Sequence, residues 1–77
     1  MRIRVYAPAN ADHSVLDEGG CIELPAGARL RDLHRVLKIP FLARPLILCA
    51  VNYRISGPGH PLADGDTVSY FSMAGGG

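Results

Sequence analysis

The sequence contains no tryptophan, and its aromatic residues are three tyrosines and two phenylalanines, so any core must be mostly aliphatic. Cysteine is also scarce: Cys21 and Cys49 are too few and too far apart for a disulfide framework or a metal site with closely paired ligands. We expect both to be buried as small hydrophobic side chains. The net charge of +1 excludes the strong positive field that attracts nucleic acids or anionic membranes, so we expect neither as a partner.

Long apolar runs and familiar catalytic motifs are missing as well. No stretch approaches the ~20 apolar residues of a membrane span, and residues 1–6 lack the apolar region of a signal peptide, so we expect a cytoplasmic protein. The sequence has no P-loop, dinucleotide fingerprint or helical His-Glu-x-x-His motif. His13, His34 and His60 fall on three different elements, which favours surface or helix-face histidines over a convergent site. We expect no resident catalytic site, bound cofactor or metal.

The patterns that are present are typical of one small globular domain of 77 residues. Arg2–Tyr6 alternates polar and apolar residues, which predicts a half-buried strand. Residues 7–20 are rich in turn-forming residues and predict a loop. Residues 21–24 predict a second short strand that Pro25 ends, so this part of the chain should form a β-hairpin.

A change of hydrophobic period marks one amphipathic helix between Arg29 and Ile39. Pro40 follows and prevents the helix from continuing. The apolar face of this helix consists of Leu30, Leu33, Val36 and Leu37. The polar face consists of Arg31, Asp32, Arg35 and Lys38. An acidic residue in the first turn and a basic residue in the last turn both suit the helix dipole.

Three further strands are predicted after the helix. Residues 46–51 form a continuous apolar run and should be a well-buried strand. Arg54–Ile55 is a short strand that follows a turn, and Thr67–Ser72 is the last strand. Alternation along that last strand predicts that Val68 and Tyr70 fill the core and that Phe71 faces the opposite side.

The predicted order β-β-α-β-β-β indicates an α+β fold, with a mixed sheet and one helix packed across one face. This arrangement is the economical way to bury the apolar face of the helix. The expected core consists of Leu30, Leu33 and Leu37 from the helix with Ile3, Val5, Val51 and Val68 from the strands.

The sequence ends in three glycines, within a tail that we place at residues 73–77. Glycine has no Cβ, so such a tail can thread a narrow channel and present the Gly77 carboxylate to another protein. The alternative is an ordinary frayed or truncated terminus. Because no side chains offset the entropy of ordering, we expect Gly75, Gly76 and Gly77 to be mobile in the free protein and ordered only when bound.

The Gly77 carboxylate is the remaining reactive group, and it is inert until it is activated. ATP could convert it to an acyl-adenylate in a partner enzyme. Sulfur delivered to that mixed anhydride would give a nucleophilic thiocarboxylate. The chain would then act as a carrier and not as an enzyme.

The second half of the chain carries five short motifs: Ala-Val-Asn at residues 50–52, His-Pro-Leu at 60–62, Asp-Gly-Asp-Thr-Val at 64–68, Tyr-Phe at 70–71 and Gly-Gly at 76–77. Together they resemble the ubiquitin-like sulfur carriers of the ThiS/MoaD family. The resemblance implies a β-grasp fold over residues 1–72 and a flexible glycine tail over 73–77. It implies adenylation and sulfur attachment at Gly77, tail threading by Gly75 and Gly76, and partner binding by Phe71 and Ala50.

The resemblance also implies two kinds of partner. One is a ubiquitin-activating-like adenylyltransferase that uses ATP. The other is an acceptor synthase, either the large subunit of molybdopterin synthase or the thiazole synthase of thiamine biosynthesis. The motifs at residues 50–52 and 60–62 slightly favour molybdopterin. Gly75 looks more like some thiamine carriers, and Ser72 and Met73 stand where molybdopterin carriers tend to have prolines.

Two other classes of function are open at this point. One is a protein modifier that is joined through Gly77 to lysines of its targets, as ubiquitin is. The other is a β-grasp interaction module that needs no terminal chemistry. The chain also departs from the family at Arg29, where Thr or Ser often caps the helix, although Asp32 is available to help.

Overall fold

The computed structural model describes residues 1–8, 11–39 and 47–72. Strands occupy Arg2–Tyr6 (β1), Cys21–Glu23 (β2), Ile47–Val51 (β3), Arg54–Ile55 (β4) and Thr67–Ser72 (β5), and an α-helix occupies Leu30–Val36 (α1). The predicted order of strands and helix is confirmed. Residues 73–77 lie outside the described part, so the mobility of Gly75, Gly76 and Gly77 and the boundary after residue 72 stay predictions. No helix in the described part is long and apolar enough to cross a membrane.

The strands form one five-stranded mixed sheet in the order β2-β1-β5-β3-β4. β1 and β5 run parallel, with Val5 opposite Val68, and the other neighbouring pairs are antiparallel. β5 therefore lies in the middle, hydrogen-bonded to β1 on one side and to β3 on the other.

α1 packs across one face of this sheet and buries the apolar side predicted for it. Leu30, Leu33 and Leu37 have no solvent-exposed surface. Burial of one leucine side chain contributes about 1.5–3 kcal/mol, so these three are a large part of the stabilisation of so small a domain. They share one core with Ile3, Val5, Val51 and Val68. The predicted one-sided packing is confirmed, although Val36 is only half-buried.

α1 is shorter than predicted, because it ends at Val36 and not near Ile39. The chain leaves the helix through Lys38, whose φ of 57° is a left-handed conformation that glycine usually adopts at this position. The amides of Lys38 and Ile39 donate to carbonyls of the preceding turn at 3.1 Å each. These bonds close the helix before the chain reaches Pro40.

The first turn of α1 has no Ser or Thr cap, and other groups accept its amide hydrogens. The Asp32 carboxylate accepts from the Arg29 amide at 2.8 Å. The amides of Leu30 and Arg31 donate to carbonyls of the loop at residues 57–61, at 2.9 and 2.8 Å. The Arg29 guanidinium donates to the same loop at 2.7 Å. Arg29 stands where the family often has Thr or Ser, and hydrogen bonds with the loop at residues 57–61 replace the missing side-chain cap.

β3 is not buried along its whole length, in contrast to the prediction. Ile47 is half-buried, Leu48 is exposed and the remaining residues are buried. Leu48 lies on the face opposite α1, directly across from Phe71 of β5. The prediction of a well-buried strand is wrong at Leu48, since strand side chains alternate between the two faces even within an unbroken apolar run.

Two aspartates organise the loop between β1 and β2, which also contains an unpredicted 3-10 turn at His13–Val15. Hydrogen bonds from the Ser14 hydroxyl and amide hold the pKa of Asp12 below its usual value. The Cys21 amide donates to Asp17 at 2.9 Å and is the main cause of the lowered pKa of Asp17. Both carboxylates are therefore ionised at neutral pH and fix the shape of the loop.

Leu33→Ala is expected to lower the free energy of unfolding by about 2–5 kcal/mol, because it leaves a cavity between α1 and the sheet. Val36→Ala, on the same helix, is expected to cost less because Val36 is half-buried. Urea denaturation followed by circular dichroism measures both changes. Equal losses for the two variants would contradict the one-sided packing.

Candidate functional site

The face of the sheet opposite α1 carries large apolar side chains that remain exposed. Their exposed fractions are 54% for Tyr6, 40% for Leu48, 66% for Ile55 and 51% for Phe71. They come from β1, β3, β4 and β5. We call these four residues the open-face patch. An exposed apolar cluster of this kind on a small domain is typical of a protein-binding surface.

The register of the strands places two small side chains in the middle of the open-face patch. Ser69 on β5 lies opposite Ala50 on β3. On the β1 side the neighbour of Ser69 is Tyr6, and on the β4 side the neighbour of Ala50 is Ile55. With neighbouring strands about 4.8 Å apart, this row spans about 14 Å. A partner would meet a floor of small side chains with larger ones on either side.

The structure places the two predicted partner-binding residues differently. Phe71 is more exposed than its neighbours Val68 and Tyr70, which are buried, so its predicted orientation is confirmed. Ala50 is only 3% exposed, because it lies in the floor of the open-face patch. The larger side chains around Ala50 therefore supply most of the accessible apolar surface. Partner binding by both residues stays a prediction.

The open-face patch lies on the strand that leads to the predicted reactive group. Phe71 is in the last part of β5, and Gly77 follows it by six residues in the sequence. Six residues of extended chain reach about 20 Å. A protein docked on the patch would therefore have Gly77 within reach of its own active site. Gly75, Gly76 and Gly77 themselves lie outside the described residues.

Sequence reasoning missed three members of the open-face patch. For Tyr6 the signal was available, since alternation along β1 places it on the face opposite Val5. Leu48 is concealed within a continuous apolar run. Ile55 belongs to a strand of two residues, which is too short to show any period.

Residues of two of the family-like motifs hold turns together through hydrogen bonds. The Asn52 side chain donates to the Asp66 carboxylate at 2.9 Å and accepts from the Thr67 amide at 3.0 Å. The Asp64 carboxylate accepts from the Arg2 amide at 2.7 Å. These bonds tie the ends of β1, β3 and β5 to one another. Asn52, Asp64 and Asp66, which belong to the motifs at residues 50–52 and 64–68, therefore stabilise the sheet.

A buried polar cluster lies between α1 and the sheet. Nδ1 of His34 is 2.8 Å from the Tyr70 hydroxyl, and its Nε2 is 3.9 Å from Cys49 Sγ. His34 lies on the inward side of the helix, so it is buried. Cys49 and Cys21 are buried free thiols, which confirms their predicted packing role. Burial raises the pKa of the Cys49 thiol to about 11, so it stays protonated and weakly nucleophilic at neutral pH.

The chemistry of this cluster fits a satisfied core better than a catalytic site. Its thiol lacks the low pKa of a catalytic cysteine. Among residues 1–8, 11–39 and 47–72, no three His, Cys, Asp or Glu side chains are placed to hold a metal ion. The open-face patch is therefore the better candidate for function.

Comparisons with known proteins agree with this architecture. The family model described as ThiS family matches residues 13–77. No curated protein sequence matches the chain. Among solved structures, SAMP1 from Haloferax volcanii is similar, with a TM-score of 0.57, 17% sequence identity and coverage of 100% of this chain and 98% of that one. The expected β-grasp, ubiquitin-like fold is confirmed.

In the folded protein, Cys49 is expected to react with iodoacetamide at least about tenfold more slowly than in the urea-unfolded chain, at about pH 8, because its thiol is buried and its pKa is raised. Cys21→Ser removes the other thiol, so that intact mass reports on Cys49 alone. Equal alkylation rates in the folded and unfolded protein would show that the polar cluster is open to solvent.

Phe71→Ala is expected to weaken binding of the implied adenylyltransferase at least about tenfold, since buried aromatic anchors often dominate an interface. The free energy of unfolding should change by less than about 1 kcal/mol, because this side chain is already half-exposed. Tyr53→Ala is the matched control, an exposed aromatic outside the open-face patch. Isothermal titration calorimetry measures both affinities. An equal loss for Tyr53→Ala would show that the patch is not the docking surface.

Proposed function

The chain belongs to the ThiS family, and we propose that it is a sulfur carrier for cofactor biosynthesis that acts as a co-substrate of its partner enzymes. Its reactive group is the carboxylate of Gly77. A ubiquitin-activating-like adenylyltransferase activates that group with ATP. The observation that carries this proposal is the family match, which extends across the glycine tail to Gly77.

The proposed chemistry begins when the Gly77 carboxylate attacks the α-phosphorus of ATP. This step forms the acyl-adenylate and releases pyrophosphate. A sulfur nucleophile then attacks the acyl carbon, and AMP leaves with the electron pair of the broken bond. When that nucleophile is the outer sulfur of a donor persulfide, a thiol then attacks the donor's own sulfur in the acyl disulfide, which releases the thiocarboxylate and leaves the donor and the thiol joined as a disulfide. The chain supplies the acyl group and its position, while the partners supply the catalysis.

Two structural features support this role. The open-face patch offers an apolar docking surface close in sequence to Gly77. Most of the buried apolar residues form a single core between α1 and the sheet, so docking on the opposite face leaves that core intact. A carrier that serves an activating enzyme and an acceptor in turn needs a surface of this kind.

For the acceptor, we favour the large subunit of molybdopterin synthase over thiazole synthase, following the motifs at residues 50–52 and 60–62. The same motifs also serve the fold, because Asn52 binds Asp66 and the His60 carbonyl accepts a hydrogen bond from α1. The choice is testable directly. Thiocarboxylated chain is mixed with each purified acceptor and its precursor, and the sulfur-containing product is measured.

Deletion of Gly77, or Gly76→Ala, is expected to abolish adenylation. The deletion leaves no carboxylate at the correct position, and the alanine adds a Cβ for which a channel that fits a glycine tail has no room. The melting temperature should hardly change, since the core lies elsewhere. Gly57→Ala is the matched control, because a Cβ there would meet no atom within 4 Å. ATP–pyrophosphate exchange with the purified adenylyltransferase measures the effect.

The outcomes of these tests separate the three functional classes. Full pyrophosphate exchange by the Gly77 deletion would overturn the sulfur-carrier proposal. A terminal mass change from oxygen to sulfur in the loaded chain would support it. Isopeptide-linked targets in cells would favour a protein modifier. Function that survives removal of the glycines would favour an interaction module.

A further inference from the structure

We rest this inference on the proposed activation of Gly77, which turns an inert carboxylate into an electrophile. Amines attack activated acyl groups and form stable amides, and thiols exchange with them reversibly. The activated terminus of one molecule can therefore acylate a nucleophilic group of another molecule of the same protein. The nucleophiles that the chain exposes decide where such a reaction can occur.

The basic side chains are almost all arginines. Of the 8 lysine and arginine residues, only Lys38 is a lysine. A guanidinium stays protonated and is not a nucleophile, whereas a lysine amine attacks once it has lost its proton. Lys38 therefore provides the only side-chain amine in the sequence.

The Lys38 side chain is accessible to other molecules. Its side chain is 77% exposed, and Nζ lies 3.6 Å from the Asp12 carboxylate. Exposed ion pairs of this kind are weak and exchange readily with water. The backbone of Lys38 has a φ of 57°, a conformation that favours glycine. If this position served only to end the helix, glycine would suit its backbone conformation better than lysine does.

Three other nucleophiles in the described part are less accessible than the Lys38 amine. The α-amino group of Met1 donates to the Leu24 carbonyl at 2.6 Å and lies 3.4 Å from the Glu23 carboxylate. The thiols of Cys21 and Cys49 are buried. Burial also keeps the Cys49 thiol protonated, since it raises its pKa to about 11.

We propose that Lys38 is the acceptor site in this chain for its own activated terminus, and that linked copies are joined by an isopeptide bond between Gly77 and Lys38. The deprotonated Nζ attacks the Gly77 acyl carbon, and a C–N bond forms. The bond to the adenylate or thiol breaks, the leaving group takes the electron pair, and the amine proton passes to water. The arginines leave no second side chain that can make this linkage.

The experiment uses the full chain with Gly77 released from an intein as a thioester of a small thiol, so no partner enzyme is required. At millimolar concentration and about pH 8.5, where more lysine amine is deprotonated, wild type is expected to form an adduct that resists reducing agents. Trypsin should release a branched peptide in which residues 55–77 are attached to Lys38 within residues 36–54, because Arg44 precedes a proline. A linked dimer and a ring closed within one copy give the same branch, but their intact masses differ, and a ring without any linked dimer would overturn the linkage between copies.

Lys38→Arg is expected to lower the yield of branched product at least about tenfold while thioester hydrolysis is unchanged. Arg35→Lys in the Lys38→Arg background is the matched control. It places an amine three residues earlier, on α1, at an exposed position that also faces a carboxylate, with Asp32 at 3.7 Å from the guanidinium of Arg35. The double variant should regain the product, with the branch moved to position 35.

Undiminished product in Lys38→Arg, or a branch that maps to Met1 or a cysteine, would overturn the proposal. A wild-type thioester that forms no branch, yet acylates added ethanolamine under the same conditions, would do so as well. Neither result affects enzymatic adenylation of Gly77, because pyrophosphate exchange measures that step separately.

Discussion

The central position of β5 is the constraint on which the other features depend. β5 is hydrogen-bonded to β1 and to β3, and its Val68 and Tyr70 side chains extend into the core beneath α1. The strand that carries the exposed Phe71 towards the glycine tail is therefore held on both edges and on one face. An enzyme that drew the tail into a channel, as proposed, would pull on this strand. Two ladders of backbone hydrogen bonds would have to break before β5 came away, so the domain would stay folded during that step.

The second constraint is that α1 covers only one face of a five-stranded sheet. A domain of 77 residues has too little chain to build a second covering layer easily, because small domains bury a limited share of their surface. The open-face patch is the consequence of this shortage. The side chains in the centre of the patch, those of Ser69 and Ala50, are small. A partner surface can therefore approach the sheet closely between Tyr6 and Ile55. A partner docked on this face would complete the second layer for as long as the complex lasted.

Periodicity predicted most of the fold, because half-buried strands and an amphipathic helix repeat their apolar residues at different intervals. It failed where an unbroken apolar run conceals the period, and where a contact with a residue distant in sequence determines whether a side chain is buried. Leu48 sits in an unbroken apolar run, and α1 ends through a left-handed Lys38 that has no sequence signal. His34 is buried because Tyr70, 36 positions away, pairs with its ring. In the candidate site, alternation was enough to orient Phe71. The glycines suggested a threading tail with a reactive end, and the family resemblance favoured that interpretation over a frayed terminus.

Family identity and acceptor choice depend on different residues. Asn52 and Asp66 bind each other to join two turns, and any carrier with this sheet needs such a link whichever acceptor it serves. Such motifs therefore identify the fold more strongly than the pathway. An acceptor can discriminate only through groups that it touches. If partners dock on the open-face patch and thread the tail as proposed, the glycines offer few groups to recognise, so selectivity between partners would depend on the four exposed side chains around Ala50.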